Sequence, residues 1–359
     1  MGKQTIIPFG PQHPVLPEPI HLDLVLEDEQ VLQAIPRIGF VHRGLEKLAE
    51  KKDFQDMVYV GERICGICSF IHSVAFCQAM ESILGIEVPE RAQSLRGFWS
   101  ELSRIHSHWL WMGLLADSFG FENLFMQTWK LRESLLDLVE ATAGGRVIYG
   151  SCKIGGVRRD ISLELITQAQ TTLKALYTQH QILASIFEND TSIQHRTQGK
   201  GMLSKDKAYE LGAVGPTLRA SGWPLDARLL KYGTYQNLEF QPVVETQGDC
   251  YARMRVRIRE VDQSFDLINQ LLKKLPDGPV ETKITGMPSG EHFERVEQPR
   301  GEVVHYLKGN GSKFLERYRV RTPTFANLPA LVEILKGCTF ADVPIIVLSI
   351  DPCISCTER

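Results

Sequence analysis

Two cysteine pairs carry most of the chemistry that this sequence offers. Cys65 and Cys68 stand in GERICGICSFIHS, and Cys353 and Cys356 stand in DPCISCTER at the end of the 359-residue sequence. Both pairs have the C-x-x-C spacing of metal ligands. Four thiolates together select a soft or borderline metal: zinc, an iron–sulfur cluster, or nickel with iron. The spacing alone does not choose among these, and a structural zinc site is one open reading. The pairs lie 288 residues apart, much further than in zinc ribbons or fingers. They can share a metal only if the fold wraps the terminal segment back against the start of a central helix. His72 follows Cys68 by four residues, so on a helix it shares that face. Cys77, Cys152, Cys250 and Cys338 are scattered and read as small buried hydrophobes. A disulfide framework is not expected in a reduced compartment.

The elements that would position these residues are mainly helical. Residues 1–42 alternate apolar and polar side chains, as in HLDLVLEDEQVLQAIPRIGF, and predict strands with a hairpin-like break at Glu27 to Glu29. Residues 43–275 form a helical body. Two short helices are expected in HRGLEKLAEKKDFQDMVYV, and one in CSFIHSVAFCQAMESILG that stops at Gly85. Long helices are expected in VPERAQSLRGFWSELSRIHSHWLWMGLLADSFG, ENLFMQTWKLRESLLDLVEATAGG, LELITQAQTTLKALYTQHQILASIFEND and CYARMRVRIREVDQSFDLINQLLKKL. The stretch from Thr197 to Gln247 reads as irregular. Residues 276–359 mix short strands in EVVHYLKGN and FLERYRVRTP, a helix near LPALVEILKG and a buried terminal strand, VPIIVLSI, from Val343 to Ile350. The expected fold is therefore a single domain over 1–359: a mainly α long-helix bundle with a small N-terminal β layer and a mixed α/β C-terminal part.

Composition narrows the function. A net charge of −3 with no basic run gives no nucleic-acid footprint. No stretch approaches the ~18 apolar residues that span a bilayer. The N-terminus lacks an apolar signal core, and Ile6 stands where a myristoylation motif needs Ser or Thr. A cytoplasmic chain is expected, carried to any membrane by other subunits.

RICGICSFIH matches R-x-C-G-x-C-x-x-x-H, the first signature of nickel–iron hydrogenase large subunits, and DPCISCTER matches their closing D-P-C-x-x-C-x-x-H/R. HRGLEK, ELSRIHSHWLWMG, EQPRGEVVHYL and RTPTFANL look like blocks of the energy-converting branch, while GPQHP and GGVRRD are similar to the 49-kDa-type subunit of complex I. The whole chain thus resembles the catalytic large subunit of an energy-converting, membrane-associated nickel–iron hydrogenase of the Ech/CooH type.

That resemblance implies a nickel–iron centre with carbon monoxide and cyanide on the iron. Cys65 and Cys353 would be terminal nickel ligands, with Cys68 and Cys356 bridging both metals. Glu46 matches the glutamate at the proton exit. Arg300 matches an arginine that overhangs the centre and hydrogen-bonds a cyanide, held by Asp117 and Asp351. Pro299 and Thr324 match positions lining the diatomic ligands, although PTFAN departs from the usual PSTWN. His72 is a candidate hydrogen-bond partner for the Cys68 sulfur, and a packed core histidine is the other reading. His106 and His108 remain open between structural and proton-path roles. Arg359 replaces the histidine that binds magnesium or iron in the standard branch, which argues against that extra ion. Some members lose a tail after this histidine or arginine; the sequence fits a processed chain and a tail-less gene equally.

No other cysteine set here resembles an iron–sulfur motif. The resemblance supplies the missing partners: a small subunit with a 4Fe–4S cluster, ferredoxin-like iron–sulfur subunits, ferredoxin as electron donor, and integral membrane subunits that move ions. The implied activity is the reversible conversion of protons and electrons to dihydrogen, on the cytoplasmic face of the membrane. Two rivals stand beside it. One is a complex-I-type subunit that binds quinone near His13 and has no nickel. The other is an assembly subunit with structural zinc.

Overall fold

The computed structural model describes residues 4–14 and 16–359; the Met1-Gly2 start lies outside them. About half the chain is helical, with three small antiparallel sheets, so the architecture is more evenly mixed than mainly α. No helix among the described residues is long and apolar enough to cross a membrane.

The first sheet is a meander of β1 (Gln4–Phe9), β2 (His21–Glu27) and β3 (Gln30–Arg37). Along β2 every second side chain is buried, which is the period-2 signal that the sequence carries. The acidic break is the β2–β3 turn. The short helices α1 (Leu45–Leu48) and α2 (Met57–Glu62) lead to the first cysteine pair. Helix α3 (Ser69–Leu84) begins at the residue after Cys68 and ends on Gly85 in the left-handed region, the expected stop.

The long helices α4 (Glu90–Ser118), α5 (Glu122–Ala143) and α6 (Leu163–Asn189) follow, with the two-residue strands β4 (Cys152–Lys153) and β5 (Gly156–Val157) between the last two. Every residue of α4 from Leu95 to Trp109 is buried, polar ones included. The irregular middle holds α7 (Thr191–Thr197), α8 (Lys205–Glu210), α9 (Gly215–Arg219) and two 3-10 turns, Ala227–Leu230 and Gly233–Asn237. Helix α10 (Cys250–Lys273) starts on an Asp249 cap, whose carboxylate accepts the Ala252 N–H at 2.7 Å. A second meander, β6 (Ser289–Gln298), β7 (Gly301–Asn310) and β8 (Leu315–Arg321), precedes α11 (Pro323–Ile334). Only β7 and β8 are expected from the sequence; the outer half of β6 is largely exposed and carries no apolar alternation.

The terminal strand expected over Val343 to Ile350 is instead a helix, α12 (Val343–Ser349). Pro344 sits in its first turn, where its fixed φ suits a helix start, and nearly all of it is buried. A short apolar run buried all round has no periodicity to separate strand from helix. The chain then turns at Asp351, which takes a positive φ of 55°, and ends in α13 (Ile354–Thr357).

Two apolar clusters dominate the interior. One lies among α3 to α6, α10 and the second sheet and contains all four paired cysteines; the other joins the first sheet to α11 and α12 and includes Ile354. The terminal segment is therefore the seam between them. Polar groups from the chain's other end help to anchor it. Glu18, in the β1–β2 loop, accepts the backbone N–H groups of Ile354 and Ser355 and the Ser355 hydroxyl. Arg43 donates to the carbonyls of Arg63 (2.7 Å), Ile64 (2.8 Å) and Ser355 (2.9 Å), so one guanidinium ties both cysteine segments together. Val41 donates to the Glu358 carboxylate.

Because Glu18 satisfies amides that no helical carbonyl can reach, Glu18→Ala is expected to free the terminal segment. Hydrogen exchange at residues 354–357 should quicken at least ~10-fold, as loss of about 1.5 kcal/mol or more from charge-assisted bonds requires. Unchanged protection there would remove Glu18 as the anchor.

Candidate metal centre

The fold brings the four cysteines together at the junction of α3 and the terminal segment. Cys65 Sγ lies 3.3 Å from Cys353 Sγ, and Cys68 Sγ lies 3.4 Å from Cys356 Sγ. Both separations are far beyond a disulfide bond of ~2.05 Å, and all four are free thiols, buried. The ligand atoms of Cys65, Cys68 and Cys356 lie within 4.8 Å of one another. A tetrahedral thiolate site with bonds of ~2.3 Å has sulfur–sulfur edges of about 3.8 Å, so these three sulfurs have the spacing of a metal site, and Cys353 joins them through Cys65.

Its electrostatics agree. Burial opposes ionisation of Cys68, but hydrogen bonds from Cys353, Cys356, Cys65 and His72 outweigh it and hold that thiol well below its ordinary range. Burial and the neighbouring sulfurs drive Cys356 the other way, well above it. On its own the cluster ionises Cys68 readily and resists ionisation of Cys353 and Cys356, because each further anion would stand beside the last. A central cation is what lets all four ionise.

Arg300, at the β6–β7 turn, supplies a fixed positive charge beside the sulfurs. Burial opposes that charge, but Asp351 and then the sulfurs of Cys353, Cys68 and Cys65 overcome it and keep the guanidinium protonated. Its Nε donates to the Asp351 carbonyl at 2.9 Å, Nη2 to Asp351 Oδ1 at 2.8 Å and Nη1 to Ser107 Oγ at 3.2 Å. Asp117, expected as a second carboxylate for Arg300, is not there. It lies exposed in the last turn of α4, and the buried Ser107, ten residues earlier, occupies the place beside the guanidinium. Glycine at 215 permits this turn: a Cβ there would stand 2.4 Å from the Arg300 carbonyl oxygen.

The other expected residues are placed as follows. Pro299 is buried in the turn next to Arg300. Thr324, in the first turn of α11, accepts the Cys353 N–H through Oγ1 at 3.1 Å. His72 Nε2 lies 3.4 Å from the Sγ of Cys356, so its contact is not with Cys68 alone. Its Nδ1 pairs with His305 Nε2 at 3.0 Å, and His305 Nδ1 with the Tyr318 hydroxyl at 3.1 Å. Glu46, on α1, accepts from Val320 N–H (2.9 Å), Arg319 (2.6 Å) and Arg359 (2.9 Å). Burial opposes its ionisation, yet the Val320 N–H and the Arg359 charge prevail and hold its carboxyl below the usual range. His106 faces Arg132 and His108 faces Glu260, both away from the sulfurs' hydrogen bonds.

Sequence reasoning does not single out Ser107, His305, Tyr318, Arg43 or Glu18. Ser107, His305 and Arg43 lie inside blocks that carry the resemblance. The roles of Arg43 and Glu18 arise only from chain ends meeting, for which local pattern holds no signal.

Comparison with known proteins gives the chain's family. Residues 43–116 match the model of the nickel-dependent hydrogenase family, and residues 118–286 and 281–359 that of the 49-kDa subunit of respiratory-chain NADH dehydrogenase. The chain is 38% identical to the membrane-bound hydrogenase subunit alpha of Pyrococcus furiosus, over 98% of this chain and 87% of the relative. It is 38% identical to the carbon monoxide-induced hydrogenase of Rhodospirillum rubrum, over 98% and 99%. It is also 37% identical to one subunit of the F(420)H(2) dehydrogenase of Methanosarcina mazei, over 100% and 98%. The chain belongs to the family that unites nickel-dependent hydrogenases with the 49-kDa subunit of respiratory-chain NADH dehydrogenase.

Proposed function

We propose that this chain is the catalytic subunit of a nickel–iron hydrogenase that interconverts dihydrogen with protons and electrons. The observation that carries the reading is the convergence of four buried sulfurs from opposite ends of the chain under one guanidinium. Cys65, Cys68, Cys353 and Cys356 would hold the centre, a nickel with an iron that carries carbon monoxide and cyanide. Once bound, such a centre supplies the Lewis acidity that makes dihydrogen, a very weak acid, open to heterolysis.

The chain's own residues do the rest. Arg300, clamped by Asp351 and Ser107, presents a permanent cation in a buried site, where charge-assisted hydrogen bonds are strongest. Thr324 fixes the Cys353 backbone. His72 steadies the Cys356 sulfur, as outer partners of metal ligands do. Glu46 offers an ionised carboxylate near the terminal segment as a proton acceptor. Pro299, buried next to Arg300, would give the diatomic ligands an apolar neighbour. Electrons would leave through an iron–sulfur partner subunit, with ferredoxin as donor and membrane subunits coupling the reaction to ion movement on the cytoplasmic face.

The relatives include a subunit of an F(420)H(2) dehydrogenase, and a cavity of about 510 Å³ lies beside His13. Both favour a metal-free redox subunit as the second reading. Four converging sulfurs are superfluous to it. Elemental analysis separates the readings: the purified complex should hold nickel and iron in about equal amounts and show infrared bands of carbonyl and cyanide, whereas zinc alone, or no metal in an active preparation, would sink the proposal.

Two substitutions test the assigned roles. Glu46→Gln keeps most hydrogen bonds but loses the acceptor charge; hydrogen–deuterium exchange should stop while nickel content holds, and normal exchange would dismiss Glu46 as the acceptor. Arg300→Lys keeps the charge but loses the planar fork. Turnover should fall by on the order of 100-fold or more with metals retained, and wild-type turnover would reduce Arg300 to scaffolding.

A further inference from the structure

A cavity of about 570 Å³ opens between α9, the turn at Ala227–Leu230 and the second sheet, on a face of the molecule that the assigned site does not use. Exposed Leu225 and Leu230 flank its mouth, with Arg321 and Arg295 each paired to Glu302. Gly215 forms part of its wall and stands against the Arg300 peptide. The buried carboxyl of Glu297 lies at its floor.

Glu297 belongs to a fully buried ionic cluster on α4, α9, α10, β6 and the 226–230 turn. Asp226 has the fork of Arg228, at 3.0 and 2.8 Å. Glu101 has Arg104 (3.2 Å), the Tyr235 and Ser264 hydroxyls, and the far side of Arg228. Glu260 takes two donors of Arg219, at 2.9 and 2.7 Å, and His108 at 3.0 Å. Glu297 is left with the remaining Arg219 nitrogen at 2.8 Å, which also faces Asp226 at 3.5 Å, and the Ala227 N–H at 2.9 Å. Arg104 spends its other donors on the backbone carbonyls of Glu297 and Gln298. Tyr232 accepts the Glu297 N–H and leaves its carboxyl alone. Arg257 lies beyond Glu260, towards Asp351, without an ion pair to either among the described residues. Within the cluster, four carboxyls thus share three guanidiniums. A buried anion without its own counter-charge is costly, and Glu297 is the one that both lacks a full partner and touches the cavity.

We propose that Glu297 is a proton-exchange site, taking one proton from cavity water onto its carboxylate and returning it there, beside the backbone that carries Arg300. Burial and the negative charge of Asp226 raise its carboxyl to about 7, against the pull of Arg219 and Arg104. The proton is therefore held below neutral pH and released above it. The stability that it contributes is complete below the unfolded carboxyl range and lost as pH rises through about 7. Glu46 has the opposite character, since its partners keep it ionised. The role in turnover rests on the hydrogenase reading: a reaction that consumes or releases protons gains from a carboxyl that changes charge at working pH, only three residues before Arg300.

The test uses the purified complex in three forms: wild type, Glu297→Gln and Glu297→Asp. Infrared difference spectra taken across neutral pH should show a deuterium-sensitive carboxyl band titrating near 7 in wild type and absent from Glu297→Gln. A missing band in wild type, or one that survives in Glu297→Gln, overturns the site. The thermal midpoint of wild type should fall relative to Glu297→Gln as pH rises through neutrality; parallel curves count against it. In hydrogen–deuterium exchange, the rate inflection near pH 7 should vanish in Glu297→Gln at full nickel content and return in Glu297→Asp. A titrating band with an unchanged rate profile rejects the role in turnover. A titrating band in a complex without nickel upholds the proton site while the hydrogenase reading fails.

Discussion

The structure depends on one constraint: a segment at one end of the sequence must close against a helix start near the other, with its sulfurs buried. Bringing together residues 288 apart costs chain entropy that local contacts cannot return. The return comes from apolar packing on both sides of the seam and from polar groups that bridge it. Arg43 is the most economical of these, because its fork takes carbonyls from the Arg63–Ile64 turn and from Ser355 at once. Each carbonyl lies one or two residues before a cysteine, so the guanidinium sets the distance between sulfur pairs without touching a sulfur.

Charge is managed in the same indirect way. Arg300 is buried, yet it is not left uncompensated: Asp351 meets it through both a side-chain oxygen and its carbonyl. That double contact needs the backbone to turn sharply at Asp351, whose positive φ of 55° is uncommon outside glycine. Aspartate tolerates this conformation better than most residues. The strained turn, the carboxylate and the cysteine two positions later form one unit, which explains why they stand together in DPC.

Much of this is legible in the sequence. The C-x-x-C pairs, the stop at Gly85, the long amphipathic helices and the β2–β3 turn each follow from local rules that the tertiary structure leaves intact. Two failures have distinct causes. VPIIVLSI is buried on all sides, so its pattern carries no period, and Pro344 is the neglected clue to a helix start. Asp117 is singled out by its motif position, but α4 turns it outward to solvent and presents Ser107 to Arg300 instead. The ionic cluster around Arg219 is invisible for another reason. Its members come from five separate segments, and a charged residue on a helix reads as a solvated face until its neighbours are known.

That cluster forms a frame of its own beside the sulfurs. Glu101, Arg104, Arg219, Asp226, Arg228, Glu260 and Glu297 tie α4, α9, α10 and β6 together through direct side-chain bonds. None of those bonds involves a cysteine. Buried ion networks add little net stability over apolar packing, but breaking one partner is expensive, which favours a single arrangement. The frame therefore specifies the position of the β6–β7 turn independently of what the sulfurs hold. In the present chain both layers are intact: the frame fixes Arg300, and the four sulfurs beneath it give that fixed charge something to act upon.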